Sequence, residues 1–395
     1  MTDTTNGNRV GAELARILTG HVFLHAAMTG LRMAAPLLAL GQGYGAAHAG
    51  ILVALFAMTQ VFMSLPAGRL ADRFGLRRPM AFSIAGAAVG AALAAIWPIY
   101  PVLCASALIT GGSVGVGTIA MQRHVGRMAQ SATERRQVFS WMSLAPAASN
   151  FLGPFAAGLV IDSFGFRPAF AMLSISALSG WLWIRTAREL PDEHASAAQR
   201  GTAWELWRDP VFRRLMVMNW FFSSSWDVHG FMVPVLGHER GLSAAVIGSI
   251  LGAFAIAAAL VRLGLPVVAA RMQEWVIITL ATASAGLMLA LYPSTSGPLT
   301  MGLCSAFIGM ALGAAQPMIL SALHQVTPSH RHGQAVAMRA LMINASSVTM
   351  PMVFGAAGGV LGAAAVFWAM GLILGCGSRL GLALRGTGEH EEPPR

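Results

Sequence analysis

The chain alternates between long apolar runs and short polar or glycine-rich stretches. A helix needs about 20 mostly apolar residues to cross the hydrocarbon core of a bilayer, and most of these runs reach that length. The pattern predicts an all-α membrane protein with twelve transmembrane helices. The predicted spans are residues 17–40, 48–68, 79–98, 101–123, 137–160, 168–187, 212–236, 244–265, 274–293, 299–325, 334–356 and 361–384.

The composition supports the same class of protein. Of the 395 residues, 55% are hydrophobic and 11% are charged, whereas a soluble domain carries about 25% charged residues. The first apolar run is too long for the apolar part of a signal peptide, so we expect a retained helix. The three cysteines lie in apolar runs without metal-like spacing and are expected to be packing residues.

The basic residues predict the orientation of the chain. All 26 are arginines, concentrated in the loops after even-numbered spans and in a central polar segment. Loops on the other side hold only Arg167 and Arg240. Because cytoplasmic loops carry the excess of basic residues, we expect a multi-pass protein of a bacterial inner membrane with both termini in the cytoplasm. The net charge of +10 is then an orientation signal and not a sign of nucleic-acid binding.

The central polar segment divides the chain into predicted parts. The stretch ELPDEHASAAQRG has the composition of a flexible linker, and TAWELWRDPVFRRL has the pattern of an amphipathic helix at the membrane face. We expect an N-terminal six-helix bundle at residues 1–188, a cytoplasmic linker with an amphipathic helix at 189–211, and a C-terminal six-helix bundle with a short tail at 212–395.

The two halves contain a weak internal repeat. Phe56 and Phe254 are 198 residues apart, and Pro154 and Pro351 are 197 apart, as are several other matching positions. Repeated halves around a site at the membrane midplane are typical of secondary transporters. The repeat therefore favours two bundles related by pseudo-two-fold symmetry, although gene duplication without transport would also produce it.

The most specific motif is GRLADRFGLRRP, between spans two and three. Its glycines favour tight turns, and its carboxylate can accept charge-assisted hydrogen bonds from nearby arginines. It resembles the loop signature of the major facilitator superfamily, G-x-x-x-D-R-x-G-R-R, with Leu76 interrupting the match. A generic basic cytoplasmic loop is the alternative. The matching residues, expected to form a conformational motif, are Gly68, Asp72, Arg73, Gly75, Arg77 and Arg78.

A second motif, SNFLGPFAAG, lies in span five and begins at Ser149. Its Gly153, Pro154 and Gly158 resemble the Gly-Pro motif of the superfamily's drug/proton antiporters, which implies export. A kinked and closely packed helix is the alternative. Many proton-coupled members carry an arginine in span four, in the pattern R-x-x-Q-G, and Gly111 stands at the comparable position here. The mode of coupling is therefore left open.

Ionisable residues inside spans are costly, and they are candidates for functional sites. Asp227 in span seven is the one carboxylate that we place deep in the membrane, and Arg32 lies in span one. At the repeat spacing Asp227 corresponds to Thr29, which shares a helix face with Arg32. The superfamily resemblance places spans one and seven around a central cavity, which implies that Arg32 and Asp227 face one substrate and proton cavity. A static ion pair between the two spans is the alternative.

Other candidates for this cavity have simpler interpretations. For Gln316 and Asn150, an interhelical hydrogen bond is at least as good an interpretation as substrate contact. For Trp226, the simpler interpretation is apolar packing. The alternative proton acceptors are His21, His25 and His229, but His229 corresponds to Leu31 and is expected to point elsewhere. Arg262 and Arg339 lie nearer the cytoplasm, where a long side chain can reach the membrane surface. The additional cavity candidates are His25, Trp226, Gln316 and Asn150.

The sequence contains no catalytic or phosphate-binding pattern, so we expect neither enzymatic activity nor a cofactor. His324, His330 and His332 lie at a predicted cytoplasmic loop, where a solvated cluster is a better interpretation than a metal site.

The predicted function is secondary active transport of the major facilitator type. By resemblance to drug/proton antiporters, the chain is expected to act as a monomer in the lipid bilayer, without nucleic acid, exporting a small organic compound in exchange for protons by alternating access. A first alternative is a carrier of an anionic metabolite or siderophore-like compound, with Arg32 and Arg339 meeting the anion. A remote alternative is a membrane sensor or enzyme that transports nothing.

Overall fold

The computed structural model describes residues 2–128, 132–190, 203–269, 272–328 and 331–382. Every regular element in these ranges is helical, as the apolar runs predict. Two short 3-10 helices, Ala203–Arg208 and Tyr292–Ser294, precede α7 and α10. The α-helices are α1 Thr2–Gly41, α2 Ala46–Phe74, α3 Arg77–Ile96, α4 Tyr100–Met128, α5 Ala132–Phe164, α6 Phe166–Ile184, α7 Pro210–Glu239, α8 Ala244–Ala269, α9 Glu274–Leu291, α10 Pro298–Val326, α11 His332–Leu361 and α12 Ala363–Leu382.

Ten of these helices are long and apolar enough to cross a membrane within the described ranges. The other two, α6 and α7, are more polar. Arg167 and several serines interrupt α6, while α7 carries serines at 223–225 beside Asp227 and His229. The all-α membrane class is thus confirmed, and the arrangement of twelve spans in two bundles stays a prediction.

Many large apolar side chains remain exposed on the helices. Phe62, Leu299, Val360 and Leu372 expose 70%, 75%, 85% and 69% of their surface. In water each square ångström of such surface is unfavourable by about 25 cal/mol relative to burial, whereas hydrocarbon carries no such penalty. The exposed surface therefore suits lipid as the solvent.

The chain forms two compact units. Unit 1 is Met1–Ala197 with Gly237–Gly252, and unit 2 is Ala198–Leu236 with Ala253–Arg395. In unit 1, α1 packs against α5 and α6, α2 against α4, and α3 against α4 and α6. In unit 2, α9 packs against α10 and α12. The end of α7 and the start of α8 thus belong to the unit of the first six helices, although they follow the linker in sequence.

The predicted linker at 189–211 is described only in part. Residues 191–202 lie outside the described residues. Where the amphipathic helix is predicted, the described residues form the six-residue 3-10 helix Ala203–Arg208, and α7 begins at Pro210. The predicted boundaries of the two bundles remain predictions.

The internal repeat is visible in the way helices cross within each unit. A Cβ atom on Gly111 of α4 would lie 2.1 Å from the carbonyl oxygen of Phe56 on α2. A Cβ on Gly309 of α10 would lie 2.3 Å from the carbonyl oxygen of Phe254 on α8. These two contacts are related by the 198-residue spacing. The contact of Gly111 with Phe56 also explains why span four has glycine where many proton-coupled members carry arginine. Even a methyl group at Gly111 would collide with the backbone of α2.

The turns repeat in the same way. Gly165 before α6 and Gly362 before α12 have φ of 87° and 86°. Gly43 before α2 and Gly241 before α8 have φ of 88° and 69°. Each pair is separated by the repeat spacing, so the two halves share local backbone geometry at corresponding turns.

Candidate functional site

One face of α1 in unit 1 carries four side chains with polar or polarisable atoms. His21, His25, Met28 and Arg32 are spaced four, three and four residues apart, so they share a helix face. The imidazole centroids of His21 and His25 are 5.6 Å apart. Gln60 of α2 donates from Nε2 to Met28 Sδ at 3.3 Å. The predicted cavity residues His25 and Arg32 therefore lie on one face of α1, opposite a polar group of α2.

Asn150 lies on α5 beside the contact between α1 and α5. Ser149, the residue before Asn150, accepts a hydrogen bond at its carbonyl from Thr29 Oγ1 of α1 at 2.8 Å. The Ser149 hydroxyl donates to Ala145 O at 2.8 Å. Pro154 has no N–H to donate to the carbonyl of Asn150, four residues earlier. Asn150 is half-buried next to this contact.

Asp227 of α7 is buried in unit 2, with 3% of its surface exposed, and it is the sole buried carboxylate among the described residues. Two hydroxyl groups of α11 hold it. Ser346 Oγ donates to Asp227 Oδ2 at 2.8 Å, and Ser347 Oγ donates to Oδ1 at 3.1 Å. Each carboxylate oxygen of Asp227 therefore has a hydroxyl donor from α11.

The polar face of α7 extends one and two turns before Asp227. Asn219 and Ser223 lie eight and four residues earlier, and both are buried. Neither the amide atoms of Asn219 nor the hydroxyl of Ser223 forms a hydrogen bond to a described residue. Buried polar atoms without partners are rare and destabilising, so this stripe is a candidate ligand surface that the sequence analysis missed. A series of polar residues at four-residue spacing in an apolar helix was the available signal.

Trp226 packs inside unit 2 beside an arginine. Its ring meets Phe254 edge-on, with centroids 4.6 Å apart. The guanidinium of Arg262 lies 6.0 Å from the Trp226 ring centroid, at the outer limit for a cation–π contact. The structure therefore places Trp226 in an aromatic contact, in line with the packing interpretation.

Gln316 joins two helices of unit 2. Arg339 Nη2 of α11 donates to Gln316 Oε1 of α10, which is the interhelical hydrogen bond considered as the alternative for Gln316. Arg339 Nε is also buried, and it forms no hydrogen bond to a described residue. The guanidinium is thus anchored at one nitrogen and unsatisfied at another.

His229 faces a separate network in unit 2, because α7 continues as helix past Gly230. His229 Nε2 and Ser305 Oγ are 2.9 Å apart, and Ser305 Oγ and Tyr292 OH are 2.8 Å apart. The His229 ring stacks on Phe254 with centroids 4.1 Å apart. Neither Ser305 nor Tyr292 was predicted as a site residue, because isolated hydroxyl groups give no pattern in the sequence.

Arg32 and Asp227 belong to different units, Arg32 to unit 1 and Asp227 to unit 2. Each is described within its own unit, and the predicted pair between them stays a prediction. Asp227 is held by two hydroxyl groups of α11.

The loop motif between α2 and α3 contains an ion pair. Arg123 Nε of α4 lies 2.6 Å from Asp72 Oδ1, and Arg123 Nη1 donates to Ala71 O at 2.9 Å. Arg73 and Arg78 lie over the Phe74 ring at 5.1 and 5.2 Å. The partner of Asp72 is thus an arginine of α4 and not one within the motif.

The turn of this motif is held by the chain that follows α6. Glu189 accepts the backbone N–H groups of Leu76 and Arg77 at 2.9 and 2.6 Å, which caps α3. Arg77 Nε donates to Ala187 O at 2.7 Å. The backbone N–H of the next residue, Arg188, donates to Glu13 of α1. The segment after α6 is therefore tied to both α3 and α1.

The two glycines of the motif differ. Gly75 has φ of 67° and forms the predicted turn. The turn predicted at Gly68 is wrong, because α2 continues as helix to Phe74. A Cβ on Gly68 would meet nothing within 4 Å, whereas one on Gly75 would lie 2.4 Å from Glu189 Oε2.

The glycines of the α5 motif allow close packing within unit 1. A Cβ on Gly153 would lie 2.3 Å from Ala26 O of α1, and one on Gly158 would lie 2.4 Å from Ala244 O of α8. Four residues after Gly158, Asp162 accepts the N–H groups of Ala244 and Ala245, both at 2.9 Å. The motif and Asp162 together join the end of α5 to the start of α8. On the other face of this contact, the carbonyl of Pro154 would lie 2.4 Å from a Cβ on Gly248.

The histidines near the start of α11 are engaged with the backbone. His324 and His332 stack with centroids 4.8 Å apart, and His332 Nε2 lies 3.0 Å from His324 O and 2.8 Å from Thr327 O. His330 lies outside the described residues.

Comparison of the whole chain with known proteins points to one family. The family model described as Major Facilitator Superfamily matches residues 17–328 and 215–395. The chain is 28% identical over 158 residues to the class G tetracycline resistance protein of Vibrio anguillarum, covering 40% of this chain and 38% of that protein. It is 31% identical over 118 residues to the class C tetracycline resistance protein of Escherichia coli, covering 29% of this chain and 28% of that protein. The matched sequence therefore spans less than half of each relative.

Solved structures share the fold along nearly the full chain. A D-xylose-proton symporter superposes with a TM-score of 0.77 at 13% identity, covering 99% of this chain and 100% of the other. The human organic anion transporter MFSD10 superposes with a TM-score of 0.67 at 18% identity, covering 94% and 99%.

Proposed function

The chain belongs to the major facilitator superfamily, and on this premise we propose that it is a secondary active transporter exporting a small organic compound in exchange for protons. The observation that carries the proposal is the polar face of α7. Asn219, Ser223 and Asp227 are buried there, and the first two have no hydrogen-bond partner in the described part of the chain. Polar groups are expensive inside a membrane helix and are retained at substrate and ion pathways.

Proton coupling is assigned to Asp227. A buried carboxylate can exchange its charge for a proton when its surroundings change, and the hydroxyl groups of Ser346 and Ser347 can hydrogen-bond either form. One proton moving inward gains about 2.3 kcal/mol per 100 mV of membrane potential. That energy is sufficient for accumulation of tens-fold against a gradient. The tetracycline resistance relatives favour export over import.

The proposed architecture has twelve spans in two six-helix bundles, related by pseudo-two-fold symmetry and joined by the linker at 189–211. The repeated crossing of Phe56 with Gly111 and of Phe254 with Gly309 supports it. Alternation between inward and outward access then moves one half against the other around a fixed site. No enzymatic step is required.

We place the protein as a monomer in a bacterial inner membrane, with both termini in the cytoplasm. The arginine-rich loops support this orientation. Single-cysteine labelling in a variant lacking Cys104, Cys304 and Cys376 tests it. An impermeant reagent applied to intact cells should label position 45 and spare position 200, and the reverse pattern would contradict the orientation.

Export is tested first by growth. Cells that express the protein are screened against many toxic compounds, and protection identifies candidate substrates. Inverted vesicles are then given a proton gradient, and uptake of a protecting compound should stop when an uncoupler collapses that gradient. Uptake that is insensitive to the uncoupler would refute proton coupling. Protection without uptake into vesicles would refute export.

A second candidate function, transport of an anionic compound, is favoured by Arg339. Its buried Nε has no hydrogen-bond acceptor among the described residues, and an incoming carboxylate or phosphate would supply one. Arg32 in unit 1 and Arg262 in unit 2 add further positive charge to the spans. Vesicle uptake of a carboxylate compound and of its amide analogue separates the two functions. The anion carrier should prefer the carboxylate, and Arg339→Lys, which keeps the charge but loses Nε, should reduce that preference.

A further inference from the structure

We propose that His21 and His25 of α1 form a binding site for one soft monovalent metal cation of the Cu(I) class. Two histidines four residues apart on a helix can chelate a single metal ion. Their ring centroids are 5.6 Å apart and the rings are tilted by 33°. Metal–nitrogen bonds of about 2.0–2.1 Å place the centroids of two imidazoles on one ion roughly 5–6 Å apart. The observed rings therefore need little rearrangement to share an ion.

Both imidazoles have an unused nitrogen. Nδ1 of His21 and Nδ1 of His25 are shielded from solvent, and neither forms a hydrogen bond to a described residue. In the tautomer with the proton on Nε2, each Nδ1 carries a lone pair. Buried polar atoms without partners require an explanation, and a bound ion is one such explanation. A cation bound at both Nδ1 atoms would use both lone pairs.

The surrounding groups select the class of ion. Met28 lies one turn further along the same face of α1. Its sulfur is a soft ligand that accepts a hydrogen bond from Gln60, and a bound ion would replace that bond. Thioether together with imidazole favours Cu(I) over harder divalent ions. In the described part of unit 1 no carboxylate is buried. An ion with two charges would be poorly compensated here, because burying charge is costly unless it is paired. A monovalent ion fits better.

The test uses the full-length protein in lipid nanodiscs, and it depends on binding alone, so it is independent of the proposed transport function. Cu(I) is titrated without oxygen against a colorimetric Cu(I) chelator. The unmodified chain should bind one Cu(I). His21→Gln and His25→Gln should each weaken binding by at least about tenfold, since even residues that only support metal ligands change affinity by 10–100-fold. Met28→Leu should remove a sulfur neighbour from the X-ray absorption spectrum of the bound copper.

The matched control is His332→Gln. His332 belongs to a second pair of neighbouring histidines, whose rings are stacked. Its Nε2 is occupied by backbone carbonyl groups, so this variant should bind Cu(I) normally. Thermal unfolding of every variant verifies the fold. If His21→Gln does not fold, the result for His25→Gln decides the test, because His25 is less buried and its substitution is better tolerated. Undiminished Cu(I) binding in the folded histidine variants would overturn the proposal. Binding of Zn²⁺ in preference to Cu(I) would overturn the assigned class of ion.

Discussion

Arg123 of α4 holds the Asp72 carboxylate at the end of α2, with Nε 2.6 Å from Oδ1. The Asp72 side chain is 47% exposed, and an ion pair with such exposure contributes only about 0.2–1 kcal/mol to stability. The pair is therefore weak enough to break and reform during a transport cycle.

We expect Asp72→Asn to insert and fold normally but to transport more slowly, because a neutral amide loses the charge-assisted bond that favours one state. Arg123→Gln should have the same effect, and the double variant should be no slower than either single one, since all three lack the same pair. Arg69→Gln, which leaves the pair intact and lies outside the predicted motif residues, is the control. Thermal unfolding verifies the fold of each variant, and vesicle assays measure its transport rate. Normal transport by Asp72→Asn would reduce the motif to an orientation signal.

The two glycines of the same motif should respond oppositely to alanine. Gly75→Ala is expected to destabilise the protein by at least about 1 kcal/mol, because a Cβ is disfavoured at positive φ and would press on the Glu189 carboxylate. Gly68→Ala is expected to stabilise α2 by about 0.5–1 kcal/mol, since glycine in a helix interior is unfavourable. Thermal unfolding measures both, and hydrogen exchange at Leu76 and Arg77 reports whether the α3 cap loosens. Equal effects of the two substitutions would contradict the assigned geometry.

Asp162 caps the start of α8 through two backbone N–H groups. Removing such a cap costs about 0.5–2 kcal/mol, so Asp162→Ala should speed hydrogen exchange at Ala244 and Ala245 while leaving α1 unaffected. Ser249→Ala is the control, because the Ser249 hydroxyl donates to the carbonyl of Ala245 in its own helix. Unchanged exchange at both amides in Asp162→Ala would mean that the cap is absent in the membrane.

Asn219→Leu should separate stability from function. Leucine has a similar size and removes two buried amide atoms that lack partners, so the variant should be as stable as the unmodified chain or more so, by up to about 1–3 kcal/mol. Transport should fall, because the proposed ligand surface loses its first polar group. Ser225→Ala, which removes a hydroxyl bonded within α7, should leave transport unchanged. A strongly destabilised Asn219→Leu would show that the amide has a structural partner.

Asp227→Asn should abolish uphill transport driven by protons while keeping downhill exchange of substrate, because an amide cannot take up or release a proton. Ser347→Ala, which removes one hydroxyl but keeps the carboxylate, should still support uphill transport. Counterflow and gradient-driven uptake in vesicles distinguish the two activities. Loss of both activities together would indicate a static structural role. Normal uphill transport with unchanged pH dependence would exclude Asp227 as the acceptor and direct the search to His21, His25 and His229.

Much of the fold follows from local sequence, because an apolar run of membrane length leaves few alternatives to a helix. The repeat spacing also transfers directly to structure, as the crossings at Gly111 and Gly309 show. The turn at Gly68 was predicted wrongly because the whole motif was treated as a loop. In the structure, the first residues of the motif, from Gly68 to Phe74, belong to helix α2.

The partners of the site residues could not be predicted in the same way. Asp227 stands out as a carboxylate in an apolar run, but Ser346 and Ser347 do not, since serine is common in membrane helices. Arg123 and Glu189 lie at or just beyond the ends of predicted spans, where charged residues need no special explanation. Their roles depend on which helices pack together, and that information is spread over the whole unit.

The bond between Glu13 and Arg188 brings together two positions 175 residues apart in the chain. The segment from α1 to α6 thus enters and leaves at one place, as the ends of domains that tolerate permutation or insertion often do. A gene segment that encodes such a closed loop of helices can be copied in tandem with only a short connector, and the second copy then starts on the side of the membrane where the first one ends. With the predicted even number of helices in each half, the meeting of Glu13 with Arg188 makes such a duplication geometrically simple.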